Sequence, residues 1–205
     1  MLFGSSRKPE PQTELIEILA CNSFQNFDAQ DTRGWTALHR AAAFGTSDDV
    51  KALLLMKASV DVRTHNLQWT PLFCAVCFSN LETMQELWTC YNDPSQTKDL
   101  RGWNLLHVAA AAGNFAAVPF LLKKGVDLNG ISQATSRFVP ASLASLSVKP
   151  GYMARNCGEE SYGAWCEVLR SEGYEPDVSP STIDWMQEEY REKFGGCECC
   201  ETWGF

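Results

Sequence analysis

One block of this sequence returns three times at a fixed spacing. Trp35-Thr36-Ala37-Leu38-His39-Arg40-Ala41-Ala42 is answered 34 residues later by Trp69-Thr70-Pro71-Leu72-Phe73-Cys74-Ala75-Val76, and 34 residues further on by Trp103-Asn104-Leu105-Leu106-His107-Val108-Ala109-Ala110. A period in the thirties marks a repeat array, in which each unit is one supersecondary element whose apolar face is covered by its neighbours. The register extends past the block: Val50, Met84 and Val118 fall in one column, Leu53, Leu87 and Leu121 in a second, and Leu54, Trp88 and Leu122 in a third. The spacing within each set is helical, so each unit reads as a pair of helices. The alanines at 41, 75 and 109 let successive helix pairs approach closely, since larger side chains do not fit there.

Taken in order, residues 1–12 read as a flexible leader rich in Pro, Ser and charge. Thr13 caps a helix whose Leu15, Ile18 and Leu19 make one apolar stripe, so residues 13–30 read as a half-repeat. It is either a cap or the start of a longer array. Three units follow over 31–64, 65–98 and 99–130. In the first, Gly34 suits a tight turn with positive φ. A helix runs from Ala37 to Phe44 and ends at Gly45, and Ser47 or Asp48 caps the second helix. Residues 131–179 read as a degenerate fourth unit with an insertion near Ser145–Gly158, closing the array with a more polar outer face. A last helix over 180–196 starts at a Ser181 to Asp184 capping box and carries Ile183, Met186, Tyr190 and Phe194 as its stripe. Residues 197–205 form a Cys-rich tail.

Asp99-Leu100-Arg101-Gly102-Trp103-Asn104-Leu105-Leu106-His107-Val108-Ala109-Ala110-Ala111-Ala112-Gly113-Asn114, with Val118-Pro119-Phe120-Leu121-Leu122-Lys123-Lys124-Gly125-Val126-Asp127-Leu128-Asn129, resembles an ankyrin repeat nearly position for position. The resemblance covers residues 13–130. It implies an all-α solenoid of paired antiparallel helices joined by hairpin-like loops, here with an acidic C-terminal helical cap and tail. The C-terminal end is similar to the ends of ankyrin proteins of filamentous fungi. The middle unit departs from the pattern, with Gln68 at the turn glycine, Phe73 at the histidine, and Tyr91 to Gln96 at the Gly-Ala-Asp segment. Its hairpin is therefore expected to be irregular.

Charge excludes one class of partner. Residues 151–205 hold 12 acids against four bases and so account for the whole net charge of −8, while residues 1–150 are balanced. An acidic third and a neutral body lack the clustered basic face that binding a phosphate backbone requires, so no nucleic-acid partner is expected. No window approaches the roughly 20 apolar residues of a membrane helix, and the N-terminus lacks a secretory apolar core. The expected compartment is cytoplasmic or nuclear. The nine cysteines are then thiols or metal ligands rather than disulfides.

Of the residues that carry chemistry, His39 and His107 share one repeat position, where the resemblance implies a structural ring bonded to backbone. Cys74 and Cys77 align with helix positions of the other units and read as packing residues. Cys197, Cys199 and Cys200 offer three thiols, with Cys157 or Cys166 as a fourth, which makes a zinc-binding or thiol-redox tail the alternative function. No other cofactor is implied. There is no nucleophile–base set, phosphate loop or His-Glu-x-x-His motif, so no enzyme activity is expected. The primary expectation is a non-catalytic module that binds another protein. The resemblance implies docking on the concave side, built from hairpin tips and first helices. At those positions stand Arg33, Trp35, Phe44, Leu67, Trp69, Phe78, Arg101 and Trp103, rich in the residue types that dominate binding hot spots. The competing reading is that the tryptophans pack across neighbouring hairpins and hold the array together. The partner's identity and the oligomeric state are left open.

Overall fold

The computed structural model describes residues 26–131 and 149–176. The leader 1–12, the helix expected after Thr13, the segment 139–144, the helix over 180–196 and the cysteine tail lie outside the described residues. Those residues are helical and connecting segments, with no strand among them. No helix among them is long and apolar enough to cross a membrane. The chain divides into two compact units, residues 1–75 with 82–91 and residues 76–81 with 92–205.

The first unit contains α1 (Ala37–Phe44) and α2 (Ser47–Leu55), then the start of α3 (Pro71–Cys77) and most of α4 (Leu81–Trp88). Thr36 and His39 form a reciprocal capping box at the start of α1. The α2 cap is Thr46 rather than Ser47 or Asp48. Its hydroxyl accepts from the Asp49 amide at 3.2 Å, and the Asp49 carboxylate takes the Thr46 amide at 2.8 Å. Sequence inspection put the cap one or two residues late because Asp49 supplies the returning half of the box. Gly45 ends α1 in an extended conformation, φ −87°, not the left-handed one. Its glycine is needed for room, since a Cβ there would lie 2.8 Å from the Ala41 carbonyl oxygen. The repeating columns are the core: Leu38, Val50, Leu53, Leu72, Met84 and Leu87 are all at most 1% exposed. Burying each such side chain contributes roughly 2 kcal/mol.

The second unit contains a 3-10 turn at Pro94–Gln96, then α5 (Leu105–Ala111), then a 3-10 turn at Phe115–Ala117 leading into α6 (Val118–Lys123). It ends in α7 (Pro150–Asn156) and α8 (Glu159–Ser171). Leu105, Leu106, Ala109, Val118 and Leu121 are fully buried. Asn114 donates from its side chain to the Val76 carbonyl at 2.7 Å, a buried bond within this unit. The stretch read as an insertion contains α7, which packs against α5 and α8. Pro150 stands in the first turn of α7, where its fixed φ favours a helix start. Gly151 lets the Trp165 indole close in, for a Cβ there would be 3.3 Å from Nε1. Trp165, 1% exposed, meets Phe115 edge to face with centroids 6.4 Å apart.

Candidate interaction surface

In the first unit the loop before α1 is wound around one carboxylate. Asp31 Oδ1 accepts from the amides of Arg33 at 2.9 Å and Trp35 at 2.8 Å, and the Asp31 amide donates to the Trp35 carbonyl at 2.9 Å. Burial pushes the Asp31 carboxyl up, but the bonds from the Trp35 and Arg33 backbone and from Arg40 outweigh it and hold the group below the ordinary carboxylate value. Gly34 sits at φ +83°, and any Cβ there would lie 2.5 Å from the His65 backbone nitrogen, so both dihedral and contact require glycine. His65, unassigned from sequence, donates its amide to the Arg33 carbonyl at 3.1 Å and so ties the two hairpin tips.

The middle turn is one residue longer than the turn of the first repeat. Thr64 closes it onto the Trp69 carbonyl at 2.9 Å, five positions away instead of four, and the Thr64 hydroxyl takes the Trp69 amide at 3.0 Å where an aspartate serves in the other repeats. Gln68 adopts φ +57° in place of the turn glycine. The irregular hairpin expected from sequence is thus a one-residue expansion with a threonine standing in for the carboxylate.

His39 is fully buried. Its Nδ1 accepts from the Thr36 amide at 3.2 Å, and the Thr36 hydroxyl lies 2.8 Å away. This leaves the proton on Nε2, which donates to the Trp69 carbonyl at 3.0 Å. Burial holds the imidazole below its ordinary pKa although the Trp69 carbonyl and the Asp31 charge both favour the proton. His107, 1% exposed, faces the Asn104 side-chain oxygen at 2.7 Å. That oxygen is fixed as the acceptor because Asn104 Nδ2 donates to the Asp127 carbonyl at 2.8 Å. The Asn104 amide donates to His107 Nδ1 at 3.2 Å, as the Thr36 amide does to His39. Both rings are bonded into the scaffold.

The eight residues of the expected contact row separate by environment. Trp69 is only 5% exposed, stacks on Phe73 at 6.2 Å, and carries through its backbone the bonds from His39 and Thr64. Arg101 is 6% exposed; its Nε and Nη2 grip Asp99 Oδ2 at 2.9 and 2.7 Å, and its guanidinium lies 3.5 Å over the Trp103 ring. These two are internal braces. Trp35, Leu67, Phe78 and Trp103 are half-buried, with Trp35 stacked on Phe44 at 6.2 Å and 15° and Trp103 on His107 at 6.0 Å and 20°. Arg33 and Phe44 are exposed, Phe44 to 53%.

Arg33 and Arg101 occupy the same repeat position yet differ in burial, and their aspartates differ in partners. Arg40 on α1 donates to Asp31 Oδ2 at 2.8 Å, whereas Asp99 Oδ2 takes two bonds from Arg101 itself. The residue of α5 in the position of Arg40 is Val108, which offers no donor. Sequence reading missed Arg40. The available signal was a cation in a helix column otherwise holding Cys74 and Val108.

Cys74 and Cys77 lie buried in α3, and burial pushes the Cys74 thiol far up, which makes it a poor nucleophile or ligand. Cys166 is buried and Cys157 donates to the Ala111 carbonyl at 3.4 Å. Among the described residues no cluster of three His, Cys, Asp or Glu could hold a metal. Cys197, Cys199 and Cys200 lie outside those residues.

Comparison with known proteins agrees with this architecture. The chain is 28% identical over 120 residues to rabankyrin-5 of Mus musculus, covering 58% of this chain and 10% of that protein. It is 27% identical over 125 residues to alpha-latrotoxin-Lg1a of Latrodectus geometricus, covering 61% and 9%, and 34% identical over 115 residues to neurogenic locus notch homolog protein 1 of Danio rerio, covering 55% and 5%. The chain thus spans a tenth or less of the length of these relatives. Residues 8–54 match the family of ankyrin repeats (many copies) and residues 55–132 that of ankyrin repeats (3 copies). With the 34-residue register, the capped helix pairs and the buried histidines, this makes the chain a member of the ankyrin-repeat family.

Proposed function

We propose that this chain is a non-catalytic protein-binding module whose partner docks on the hairpin tips and exposed first-helix faces. Ankyrin repeats in general mediate protein–protein interaction, and the family is typically non-catalytic. The observation that carries the reading here is the Trp35–Phe44 stack, which leaves a large aromatic ring 53% exposed at the end of α1 instead of burying it. An exposed aromatic anchored on a second ring is a rigid platform that loses little entropy on binding. Trp69 and Arg101 serve the surface indirectly, by fixing the backbone of their hairpins.

The test compares proteins that co-purify with the full chain and with Phe44→Ser, a substitution at an exposed position that leaves the core intact. Loss of a defined partner set, with an unchanged melting temperature, supports the surface. An identical set from both proteins refutes it. The alternative of a metal-binding or thiol-redox tail rests on Cys197, Cys199 and Cys200, and zinc analysis of protein purified without chelator tests it.

A further inference from the structure

We infer that Asp99 and Trp103 form a guanidinium-binding site that the chain fills with its own Arg101, and that this site takes an external guanidinium when the Arg101 side chain is withdrawn. The ligand class is the arginine side chain of another protein or a small guanidinium compound. Asp99 is the base of the site, its side chain 0% exposed. Its Oδ1 accepts from the amides of Arg101 at 2.8 Å and Trp103 at 3.0 Å, and its own amide donates to the Trp103 carbonyl at 3.0 Å. Those bonds run to backbone, so they hold the carboxylate in place whatever side chain stands at position 101. Oδ2 is the oxygen that takes the guanidinium, from Arg101 Nε at 2.9 Å and Nη2 at 2.7 Å.

The Trp103 ring is held just as independently. It stacks on His107 with centroids 6.0 Å apart and 20° between planes, and His107 is bonded to the Asn104 amide and side chain. The Arg101 guanidinium lies 3.5 Å from the Trp103 ring centroid, well inside the roughly 6 Å over which a cation is drawn to an aromatic face. A carboxylate taking two N–H bonds beside an aromatic face suits a planar fork, whereas an ammonium is a point charge that cannot match it. The first repeat shows that an arginine here need not fold back. Arg33 also follows an aspartate by two residues and precedes a tryptophan by two, yet it is exposed. There Trp35 stacks on Phe44, whose counterpart in the third repeat is Ala112. Trp35 thus pairs with a ring and Trp103 with a guanidinium. Arg101 stands between Leu100, 51% exposed, and half-buried Gly102, so the site lies just beneath the surface of the tip. Withdrawing the guanidinium takes two bonds from a buried carboxylate, and an ion of the same shape restores them.

The test is chemical rescue of the full chain carrying Arg101→Ala, which keeps the backbone amide at that position. Its melting temperature should fall by roughly 10 °C, as expected for a buried ion pair broken in a chain of this size. Millimolar ethylguanidinium should return about half of that loss in a saturable way, by mass action on the folded form. Ethylammonium at the same concentration should return none, and the wild type, its site filled, should be stabilised by neither. If Arg101→Ala does not fold in plain buffer, a cooperative melt regained with ethylguanidinium supports the inference. No regain, or an equal gain with ethylammonium or in the wild type, overturns it. Adding Trp103→Leu to the Arg101→Ala chain should raise the ethylguanidinium concentration needed several-fold, through loss of the aromatic face. An unchanged requirement overturns the part given to Trp103. N-acetylarginine methylamide separates the two ligand sources. Rescue by it as well supports the arginine of another protein as ligand, and rescue by ethylguanidinium alone overturns that source while supporting the site.

Discussion

The middle and third repeats solve the same structural problem with different residues, and the middle one does it less well. The third repeat places Gly102 at φ +76° and Gly113 at φ +67°; the middle repeat asks Gln68 and Ser79 to adopt φ +57° and +60° at the matching positions. A residue with a Cβ is about 1 kcal/mol less comfortable there than glycine. The third repeat caps α5 with Asn104, whose side-chain oxygen meets His107 at 2.7 Å. In the middle repeat Phe73 replaces the histidine, so the buried Thr70 hydroxyl loses that partner. It lies near enough to the Tyr91 phenol to be felt electrostatically, yet without hydrogen-bond geometry, and the phenol itself donates to the Val60 carbonyl at 2.7 Å. What the middle repeat keeps is the apolar column, and Phe73, fully buried against Trp69, adds to it. The difference teaches that burial holds a repeat together while the polar cap refines it.

The strongest test converts the first repeat to the middle type. His39→Phe removes the donor to the Trp69 carbonyl and the acceptor for the Thr36 amide, leaving that buried amide unsatisfied. It should destabilise the protein by about 2–4 kcal/mol in denaturant unfolding. A loss below about 1 kcal/mol would show that the cap network is dispensable and the comparison empty. Next comes a matched pair. Thr36→Val should cost about 1–2 kcal/mol, whereas Thr70→Val should fall within about 0.5 kcal/mol of zero, because only Thr36 has a partner to lose. Equal costs at the two sites would remove the distinction. A smaller gain is expected from Ser79→Gly, about 0.5–1 kcal/mol, since its φ of +60° suits glycine. Gln68→Gly should gain less than that, as the Gln68 amide donates to the Thr64 carbonyl at 3.1 Å and that bond would be lost.

The smallest effect is in pH. His39 has a folded pKa below its ordinary 6.5, so the unfolded chain takes up the proton first. Its contribution is complete above about pH 6.5 and is lost as pH falls through the folded value. Asp31, also lowered, loses its contribution in the same direction but in the carboxylate range, below its ordinary 3.8. The slope of stability against pH just below 6.5 should flatten in His39→Phe and persist in Asp31→Asn. If Asp31→Asn flattens that slope, the assignment to His39 fails.

Much of the scaffold was legible in sequence because its rules are local. The columns at Leu38, Leu72 and Leu106 and at Leu53, Leu87 and Leu121 were named from spacing, and every one is fully buried. Gly34 was read as a positive-φ turn and is one. Where reading failed, a nonlocal or reciprocal partner decided the outcome. Thr46 won the cap of α2 through Asp49, ahead of the Ser47 or Asp48 expected. The candidate surface was legible only as a row of positions.

What the sequence determined alone is the repeat itself: helical periodicity and a constant 34-residue offset force the same apolar columns inward wherever they occur. What the tertiary structure decided is which members of the row face outward. Arg33 and Arg101 are identical in residue type, repeat position and the aspartate two residues before them, yet one is exposed and the other buried. The aspartates differ in partner, with Arg40 on Asp31 and Arg101 itself on Asp99. Burial of a column depends on a local period, but the partner of a carboxylate depends on reach in space, and only the folded chain settles it.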